Sequence, residues 1–334
     1  MIYFVTKACN CRCEHCFYWK SLNKGIEQEL KFEEIDKIAQ NLRQLLYVRF
    51  SGGEPFLRRD FFEIVHSFSK HCHPIYFGVP TNGFFTDKIV DFARKASKID
   101  GYVEIGISID DFAEYHDKIR ECPGIFKAAI RTFQELKKIQ KETANLGIGF
   151  ITTAMKSNQV RLKELFHHLA SLEPDSIACN IIRDDTKVEE EKEIDWGLTK
   201  EFVDLCDEYN KRSFRQKKSW VQRMRLEKTE AAHKIRSEVI RTGQFQIPCV
   251  AGDKMVVMYS EGEVAPCETL SDQIGNIRDY EYDMTKLLKS KPAKAIRKKI
   301  INEKCFCTHE CFTSASITFS TREMIKVFMR SLKP

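Results

Sequence analysis

Short β-like runs alternate with longer amphipathic stretches through the first half of the chain, and this alternation constrains the fold more than any other feature. The runs with strand character span 2–6, 47–51, 75–79, 103–109, 147–153 and 176–182. Helical patterns fill the gaps at 32–46, 61–71, 86–96, 125–141 and 159–172. Strands that alternate with helices pair in parallel through right-handed crossovers. The sequence therefore predicts an α/β fold, either a doubly wound sheet or an incomplete barrel of six units.

Polar and glycine-rich segments follow the predicted strands. A cysteine-rich loop follows the first strand, and the next three strands are followed by SGGEP at 51–55, PTNG at 80–83 and SIDD at 108–111. In both architectures ligands collect at the C-terminal ends of the strands. Each segment alone is also compatible with a plain turn. Because all of them lie at one edge of the predicted sheet, we expect a single shared site there.

The composition changes after the last predicted strand. The predicted core covers 1–184, and residues 185–245 are charged and helical in pattern, which is typical of a linker or scaffold. From 246 to 334 the sequence begins with a hairpin pattern whose turn lies at Glu261-Gly262. A basic helix, a cysteine-rich segment and a C-terminal tail follow. We predict a small cysteine-bearing domain over this last segment.

Charge and hydropathy limit the possible partners. The net charge of +6 is modest for 334 residues, and the basic runs at 212–236 and 286–299 are typical of solvated helix faces. These runs contain few aromatic residues, so nucleic acid is not an expected partner. No apolar run is long enough to span a bilayer, and the start of the sequence lacks a secretory signal. We therefore expect a cytoplasmic protein without a membrane partner.

The chain has thirteen cysteines, which is the least ordinary part of its composition. Cytosolic cysteines stay reduced, and reduced cysteines in clusters indicate a metal site. Two groups lie near opposite ends of the chain: Cys9, Cys11, Cys13 and Cys16, and then Cys249, Cys267, Cys305, Cys307 and Cys311. The other four are isolated, and isolated cysteines are usually buried as small hydrophobic residues.

Within the first group, Cys9, Cys13 and Cys16 have the spacing C-x3-C-x2-C. A flexible loop with this spacing can direct three thiolates at one iron–sulfur cluster and leave one iron open for a substrate or cosubstrate. Structural zinc takes four ligands in a closed tetrahedron, so zinc held by all four cysteines is the alternative. The single-residue gaps around Cys11 disfavour zinc. Cys11 is therefore predicted to point elsewhere in the loop.

This cysteine loop after the first strand and the GGE motif at 52–54 after the second together resemble the radical S-adenosylmethionine (SAM) superfamily. The resemblance covers about 1–183 and implies a partial (β/α)6 barrel. It implies a [4Fe–4S] cluster on the three cysteines whose open iron chelates SAM, and a 5′-deoxyadenosyl radical that abstracts hydrogen from the substrate. A reductant protein such as flavodoxin or ferredoxin is the implied electron donor. His15 stands where the family usually places an aromatic residue near the adenine.

The resemblance also assigns cofactor-binding roles beyond the loop. Gly52, Gly53 and Glu54 match the motif that lines the methionine amino group, and glycine lets a backbone edge approach a ligand closely. Ser108 and Arg120 occupy positions that resemble those meeting the methionine carboxylate in related members. Further candidates at the rim are Asn82, Asn158 and Arg183. Taken alone, either arginine is more typical of a surface ion pair than of a ligand, and its position at the rim makes the two roles equally compatible with the sequence.

The second cysteine group resembles the SPASM/twitch extension of the same superfamily, which carries auxiliary iron–sulfur clusters. The full SPASM form uses more cysteines than the five present here, so the resemblance implies the shortened twitch form with one cluster, expected to be [4Fe–4S]. Cys249 and Cys267 would be joined as ligands by two of Cys305, Cys307 and Cys311. Zinc on the same cysteines is the alternative. His309 is predicted as a turn residue and not a ligand.

These features lead to an ordered set of functions. An auxiliary cluster favours an oxidative reaction in which it accepts the electron left on the substrate, or else a role in orienting the substrate. Peptide maturases commonly carry an N-terminal leader-binding domain, whereas the first strand here begins at Ile2. We therefore expect an oxidoreductase or related radical enzyme acting on a small, sugar-like or secondary metabolite. The alternatives are modification of a peptide or protein and, from another class, a non-enzymatic zinc or nucleic-acid-binding protein.

Overall fold

The computed structural model describes residues 1–183, 185–216 and 220–332. The chain divides into two compact units. The first comprises Met1–Cys206, Met258–Gly262 and Glu281–Asp283, and the second comprises Asp207–Val257, Glu263–Tyr280 and Met284–Pro334. The three-segment division drawn from the sequence stays a prediction; its boundary at 184, residues 217–219 of the basic run and the last two residues lie outside the described residues. Within the described part of the chain, no helix is long and apolar enough to cross a bilayer.

Six parallel strands form the centre of the first unit. They are β1 (Ile2–Thr6), β2 (Tyr47–Gly52), β3 (Tyr76–Thr81), β4 (Tyr102–Ser108), β5 (Leu146–Ala154) and β6 (Ser176–Ile181). Their order in the sheet is β6-β5-β4-β3-β2-β1. A doubly wound sheet reverses its strand order at a switch point. This order never reverses, so right-handed crossovers place every connecting helix on the same face, as in an incomplete barrel.

The crossover helices lie close to the predicted positions. They are α1 (Phe32–Asn41), α2 (Phe61–Cys72), α3 (Thr86–Ala96), α4 (Ala113–Ile119), α5 (Ile125–Gln140) and α6 (Leu162–Ser171). The short α4 follows the SIDD segment and had no counterpart among the predicted helices. The first helix was expected to reach 46 but ends at Asn41. Leu42 has an extended backbone, and the N–H of Leu45 bonds to the carbonyl of Cys72 at the end of α2 instead.

A layer of phenylalanine rings holds β2 in place against the helices. Phe50 is fully buried; its ring stacks with Phe77 at 6.3 Å between centroids and meets Phe61 edge-on at 5.3 Å. Such aromatic pairs add about 0.5–1.5 kcal/mol beyond the burial of their area. Because β2 ends at the GGE motif, this packing fixes the position of the motif relative to the sheet.

The second unit is mostly helical. The segment predicted as charged helices contains α7 (Trp196–Gln216), which begins in the first unit, and α8 (Trp220–Thr242). The predicted tail is also helical, with α11 (Glu310–Thr318) and α12 (Thr321–Ser331). Buried side chains of α8, α11 and α12 form one apolar cluster that includes Ala231, Ile317 and Val327.

In the sequence, the segment predicted as a hairpin and a basic helix lies between α8 and α11, and its residues Met258–Gly262 and Glu281–Asp283 belong to the first unit. Short strands β7 (Val257–Met258) and β8 (Glu263–Ala265) flank a turn in which Gly262 has a φ of 92°, and β8 pairs antiparallel with β9 (Gly275–Asn276). The basic segment forms two helices, α9 (Met284–Leu288) and α10 (Lys291–Asn302). The break occurs at Ser290, whose hydroxyl accepts the N–H of Ala293, and Pro292 is well suited to the first turn of α10.

Candidate functional site

The cysteine loop directly follows β1, and backbone and amide hydrogen bonds shape it. The Asn23 side chain accepts the N–H of Cys9 at 2.9 Å and donates to its carbonyl at 3.1 Å, and the N–H of Cys16 bonds to the carbonyl of Cys13 at 3.1 Å. Farther along, the N–H groups of Arg12 and Glu14 bond to carbonyls at the C-terminal end of α4. The three candidate ligands are half-buried. The loop is thus a fixed element with three accessible thiols.

Cys11 differs from the other three cysteines of the loop. It is only 1% exposed and packs with Cys122 and Ile125, and its Sγ accepts a 3.4 Å hydrogen bond from Nδ2 of Asn82. A hydrogen bond from Cys11 lowers the pKa of Cys13, despite an opposing effect of burial. A lowered pKa favours the thiolate form, which is the form that binds metals. Cys11 therefore lies in the core beneath the loop and supports Cys13.

The GGE motif is joined to the cysteine loop through its backbone. The N–H groups of Gly53 and Glu54 donate 2.8 Å hydrogen bonds to the carbonyls of Thr6 and Ala8. A Cβ at Gly53 would lie 2.1 Å from the Ala8 oxygen, and one at Gly52, where φ is +114°, would lie 2.4 Å from the Thr6 oxygen. Gly53 is therefore required by the approach of the cysteine loop itself, and Gly52 by the approach of the last residue of β1. The sequence had suggested only the approach of a ligand.

Glu54 is a buried carboxyl group at the end of this motif. It is 1% exposed and accepts hydrogen bonds from the Thr81 hydroxyl at 2.7 Å and from the N–H of Asn82 at 2.8 Å. Burial raises the pKa of Glu54 to about 7, although these hydrogen bonds act in the opposite direction. Asn82 in turn donates from Nδ2 to Oδ1 of Asn10 at 2.8 Å. Glu54 and Asn82 thus connect the ends of β2 and β3 to the loop.

Arg120 lies beside the cysteine loop and is bound to a residue that was not among the sequence-based candidates, Asp110. Nε and Nη2 of Arg120 lie 2.9 and 2.7 Å from Oδ2 of Asp110. Burial by itself would raise the pKa of Asp110, but Arg120 and the nearby His15 and His116 hold it at about 2. Asp110 belongs to the SIDD segment already quoted, but the sequence does not show which of the two aspartates in that segment pairs with Arg120.

The remaining candidates have different surroundings. The side chain of Asn158 is fully buried and bonds to Asp110 O at 2.7 Å, Thr153 O at 2.8 Å and Met155 N at 2.9 Å. Its amide is thus occupied within the protein. Ser108 is the last residue of β4 and is half-buried. Arg183 follows β6, and its guanidinium lies 5.9 Å from the ring of Phe17 in the cysteine loop.

The second cysteine group lies in the second unit. Cys249, Cys305 and Cys307 line one pocket, whose apolar wall includes Phe306 and Phe312. Burial raises the pKa of Cys307 to about 12, with further effects from Cys249, Cys267 and Cys305. Cys267 does not line this pocket, but its charge is close enough to raise the pKa of Cys307. Among the described residues, no three or more His, Cys, Asp or Glu side chains are placed to hold a single metal ion.

His309 and Glu268 form a buried pair in the same unit. His309 is the N-cap residue of α11, and its Nε2 contacts a carboxylate oxygen of Glu268. Glu268 directly follows Cys267, whereas His309 lies between Cys307 and Cys311. The pair therefore joins the hairpin segment to the later cysteine segment. This is a structural contact that the prediction of a simple turn residue did not include.

Comparison with known proteins identifies the family. The signature of the radical SAM superfamily matches residues 3–156, which contain the cysteine loop, the GGE motif, Asp110 and Arg120. Residues 3–156 belong to the radical SAM superfamily. Members of this superfamily are enzymes that use a [4Fe–4S] cluster and SAM, and its SPASM members carry auxiliary clusters. The match confirms the superfamily that the sequence predicted, together with the cofactors that its members use.

Several curated proteins are similar in sequence to this chain. Fe-coproporphyrin III synthase of Methanosarcina barkeri is 30% identical over 50% of this chain and 39% of its own length. Mycofactocin maturase MftC of Mycolicibacterium smegmatis is 33% identical over 43% of this chain and 36% of its own length. The chain thus spans less than half the length of these two relatives. AdoMet-dependent heme synthase of Oleidesulfovibrio alaskensis is 25% identical over 83% of this chain and 71% of its own.

Solved structures extend the likeness to the C-terminal region. AnSMEcpe with bound AdoMet superposes with a TM-score of 0.63 at 18% identity, over 99% of this chain and 96% of that one. SuiB of Streptococcus suis has a TM-score of 0.63 at 13% identity, over 89% of this chain and 67% of the SuiB chain. Likeness at such identities concerns the fold. It confirms the predicted partial (β/α)6 radical SAM barrel with a cysteine-rich C-terminal region of the SPASM/twitch kind.

Proposed function

We propose that this protein is a radical SAM enzyme that cleaves SAM reductively and removes a hydrogen atom from a small-molecule substrate. The observation that carries the proposal is the backbone pairing of Gly53 and Glu54 with the cysteine loop, which holds the candidate cluster ligands and the candidate SAM-binding motif in one frame. A [4Fe–4S] cluster with SAM would supply the electron and the 5′-deoxyadenosyl radical. The chain's own residues supply the binding and orientation.

The proposed roles follow from the surroundings of each residue. Cys9, Cys13 and Cys16 would hold the cluster, which suits three half-buried thiols on a fixed loop. Glu54, with Gly52 and Gly53, would meet the methionine ammonium group, because a cation beside this buried carboxyl group would offset the cost of its ionisation. The residues proposed for the carboxylate and for the rest of SAM are Ser108, Arg120 and Arg183. Asn82 and Asn158 would act by positioning the loop and Asp110, because their amides are engaged there.

In the second unit we propose an auxiliary iron–sulfur cluster, expected to be [4Fe–4S], on Cys249, Cys267, Cys305 and Cys307. Cys249, Cys305 and Cys307 line one pocket. The charge of Cys267 raises the pKa of Cys307, which supports its inclusion as the fourth ligand. Cys311, the remaining candidate, lies in the first turn of α11 and does not line the pocket. The proposed task of this cluster is to accept one electron from the substrate radical that hydrogen abstraction leaves, so that the substrate, on releasing a proton, is oxidised by two electrons in all. A reductant protein such as flavodoxin or ferredoxin would supply the first electron.

Small molecules are the first choice of substrate. The names of two relatives, Fe-coproporphyrin III synthase and AdoMet-dependent heme synthase, refer to small molecules, and the second matches 83% of this chain. A peptide substrate is the second candidate, because MftC is named a maturase and SuiB was solved bound to the precursor peptide SuiA. Transfer of deuterium from labelled candidates into 5′-deoxyadenosine would separate the two classes.

The decisive experiment uses protein reconstituted anaerobically with iron and sulfide. We expect a brown protein with about eight irons, four for each cluster, that forms 5′-deoxyadenosine from SAM with dithionite. Cys13→Ala should abolish this product. Cys72→Ala is the matched control, because Cys72 is buried in α2 with its thiol directed at the carbonyl of Ala39. Colourless protein that retains stoichiometric zinc, or 5′-deoxyadenosine formed by the Cys13 variant, would contradict the proposal.

A further inference from the structure

Asp110 is the centre of a buried polar network beside the cysteine loop. It is 0% exposed, and each carboxylate oxygen has its own partner. Oδ1 accepts the N–H of Thr153 at 2.9 Å, and Oδ2 meets Nε and Nη2 of Arg120. Nε2 of His15, a residue of the cysteine loop, lies 3.7 Å from the same Oδ2. One carboxylate thus joins the end of β4, the end of α4 and the loop.

Two polar atoms in this network, Nη1 of Arg120 and Nδ1 of His15, remain available to a ligand. Across the part of the chain that the structure describes, Nη1 of Arg120 makes no hydrogen bond, whereas its other nitrogens face Asp110. Nδ1 of His15 is buried and finds no partner among the described residues. A buried polar atom without a partner is costly, and a bound ligand would remove that cost. Both groups lie close to Cys13, because the charge of Cys13 is one of the effects that raise the pKa of Arg120.

We propose that Asp110 is a positioning residue of the SAM site, which presents Nη1 of Arg120 to the SAM carboxylate and fixes the ring of His15 against the bound nucleoside. The inference rests on the proposed function. An arginine side chain has many rotamers, and ordering it on binding costs free energy. A guanidinium already clamped by a carboxylate has lost that freedom before the ligand arrives. Asp110 therefore acts through orientation, without touching SAM.

The neighbouring Asp111 provides a matched control. It is also 0% exposed and also pairs with an arginine, because Nε of Arg161 lies 3.0 and 2.9 Å from its two oxygens. That pair faces the loop that precedes α6, where Arg161 also bonds to the carbonyl of Ser157. Asp110→Asn and Asp111→Asn therefore remove the same charge from adjacent buried positions. Only Asp110→Asn removes a carboxylate that contacts Arg120 and lies near His15.

The test measures SAM affinity of the anaerobic holoenzyme by equilibrium dialysis, together with the change in the cluster EPR signal on addition of SAM. We expect Asp110→Asn to raise the Kd and the KM for SAM about tenfold or more, with a smaller effect on kcat, and to reduce the EPR change. Asp111→Asn should alter the Kd by less than about threefold, although its loss of thermal stability should be similar to that of Asp110→Asn. In a double-mutant cycle, Asp110→Asn should add little once Arg120→Gln is present.

The outcomes separate the inference from the proposed function. Wild-type protein that neither binds nor cleaves SAM would overturn the function and the inference together. Wild-type cleavage with an unchanged Kd in Asp110→Asn would overturn the inference alone. So would equal losses of affinity in the two asparagine variants, because a general loss of stability would then explain both. Full additivity with Arg120→Gln would show that Asp110 does not act through that arginine.

Discussion

The N–H of Glu54 donates a 2.8 Å hydrogen bond to the carbonyl oxygen of Ala8, one residue before the first cysteine of the loop. The N–H of Gly53 bonds to Thr6 in the same way. These bonds continue the pairing of β1 and β2 beyond the ends of the strands and into the loop. The geometry of the candidate ligands therefore depends on backbone pairing between the loop and the GGE motif.

This relationship predicts that Gly53→Ala disrupts the loop. The new Cβ would lie 2.1 Å from the Ala8 oxygen, a backbone atom that can retreat only by breaking the pairing. We expect a loss of about 3 kcal/mol in stability, typical of overpacking, and reconstitution of only the second cluster. Chemical denaturation and iron analysis measure the two effects.

Gly124→Ala is the control for this change. Gly124 has a φ of +79° but nothing within 4 Å of an added Cβ. It should therefore cost only the strain of a left-handed backbone, about 1 kcal/mol, and retain its full iron content. Equal behaviour of the two variants would show that the close approach at Gly53 is unimportant.

The raised pKa of the buried Glu54 carboxyl group predicts that the stability of the folded protein depends on pH. Its pKa in the folded protein is raised to about 7 by burial, so the folded state holds the proton more tightly than the unfolded chain does. The stabilising contribution is complete below the pKa of the unfolded chain and is lost as the pH rises through about 7. Glu54→Gln lacks this titration. The difference in unfolding free energy between wild type and variant should change by on the order of 3 kcal/mol between pH 4 and pH 8; parallel curves would contradict it.

Much of this architecture could be predicted from the sequence, because strand patterns and motif spacing are local properties. The strands of the barrel and the position of the GGE motif at the end of β2 are examples. Asp110 was missed because its importance comes from its pairing with Arg120, and nothing local distinguishes it from Asp111. The true reason for Gly53 was also inaccessible, since it is the approach of Ala8 from a distant part of the chain.

Cys11 tests whether the four thiols of the loop have equal roles. Its thiol is buried against Cys122 and accepts a hydrogen bond from Asn82. Cys11→Ala should lose about 1 kcal/mol of stability from the small cavity created, yet retain the iron content and form 5′-deoxyadenosine. Cys16→Ala is the comparison, since it should lose the first cluster. If Cys11→Ala loses the same amount of iron as Cys16→Ala, Cys11 is a ligand.

The second cysteine group gives a prediction about ligand choice. Cys307 lines a pocket with Cys249 and Cys305, whereas Cys311 lies in the first turn of α11 and is not part of that wall. Cys307→Ala should therefore reduce the iron content from about eight to about four per chain, and it should still allow cleavage of SAM because the first cluster is intact. Cys311→Ala, a similar change four residues away, should retain both clusters. Iron analysis with EPR of each variant decides between them, and a loss of four irons in Cys311→Ala with none in Cys307→Ala would reverse the assignment.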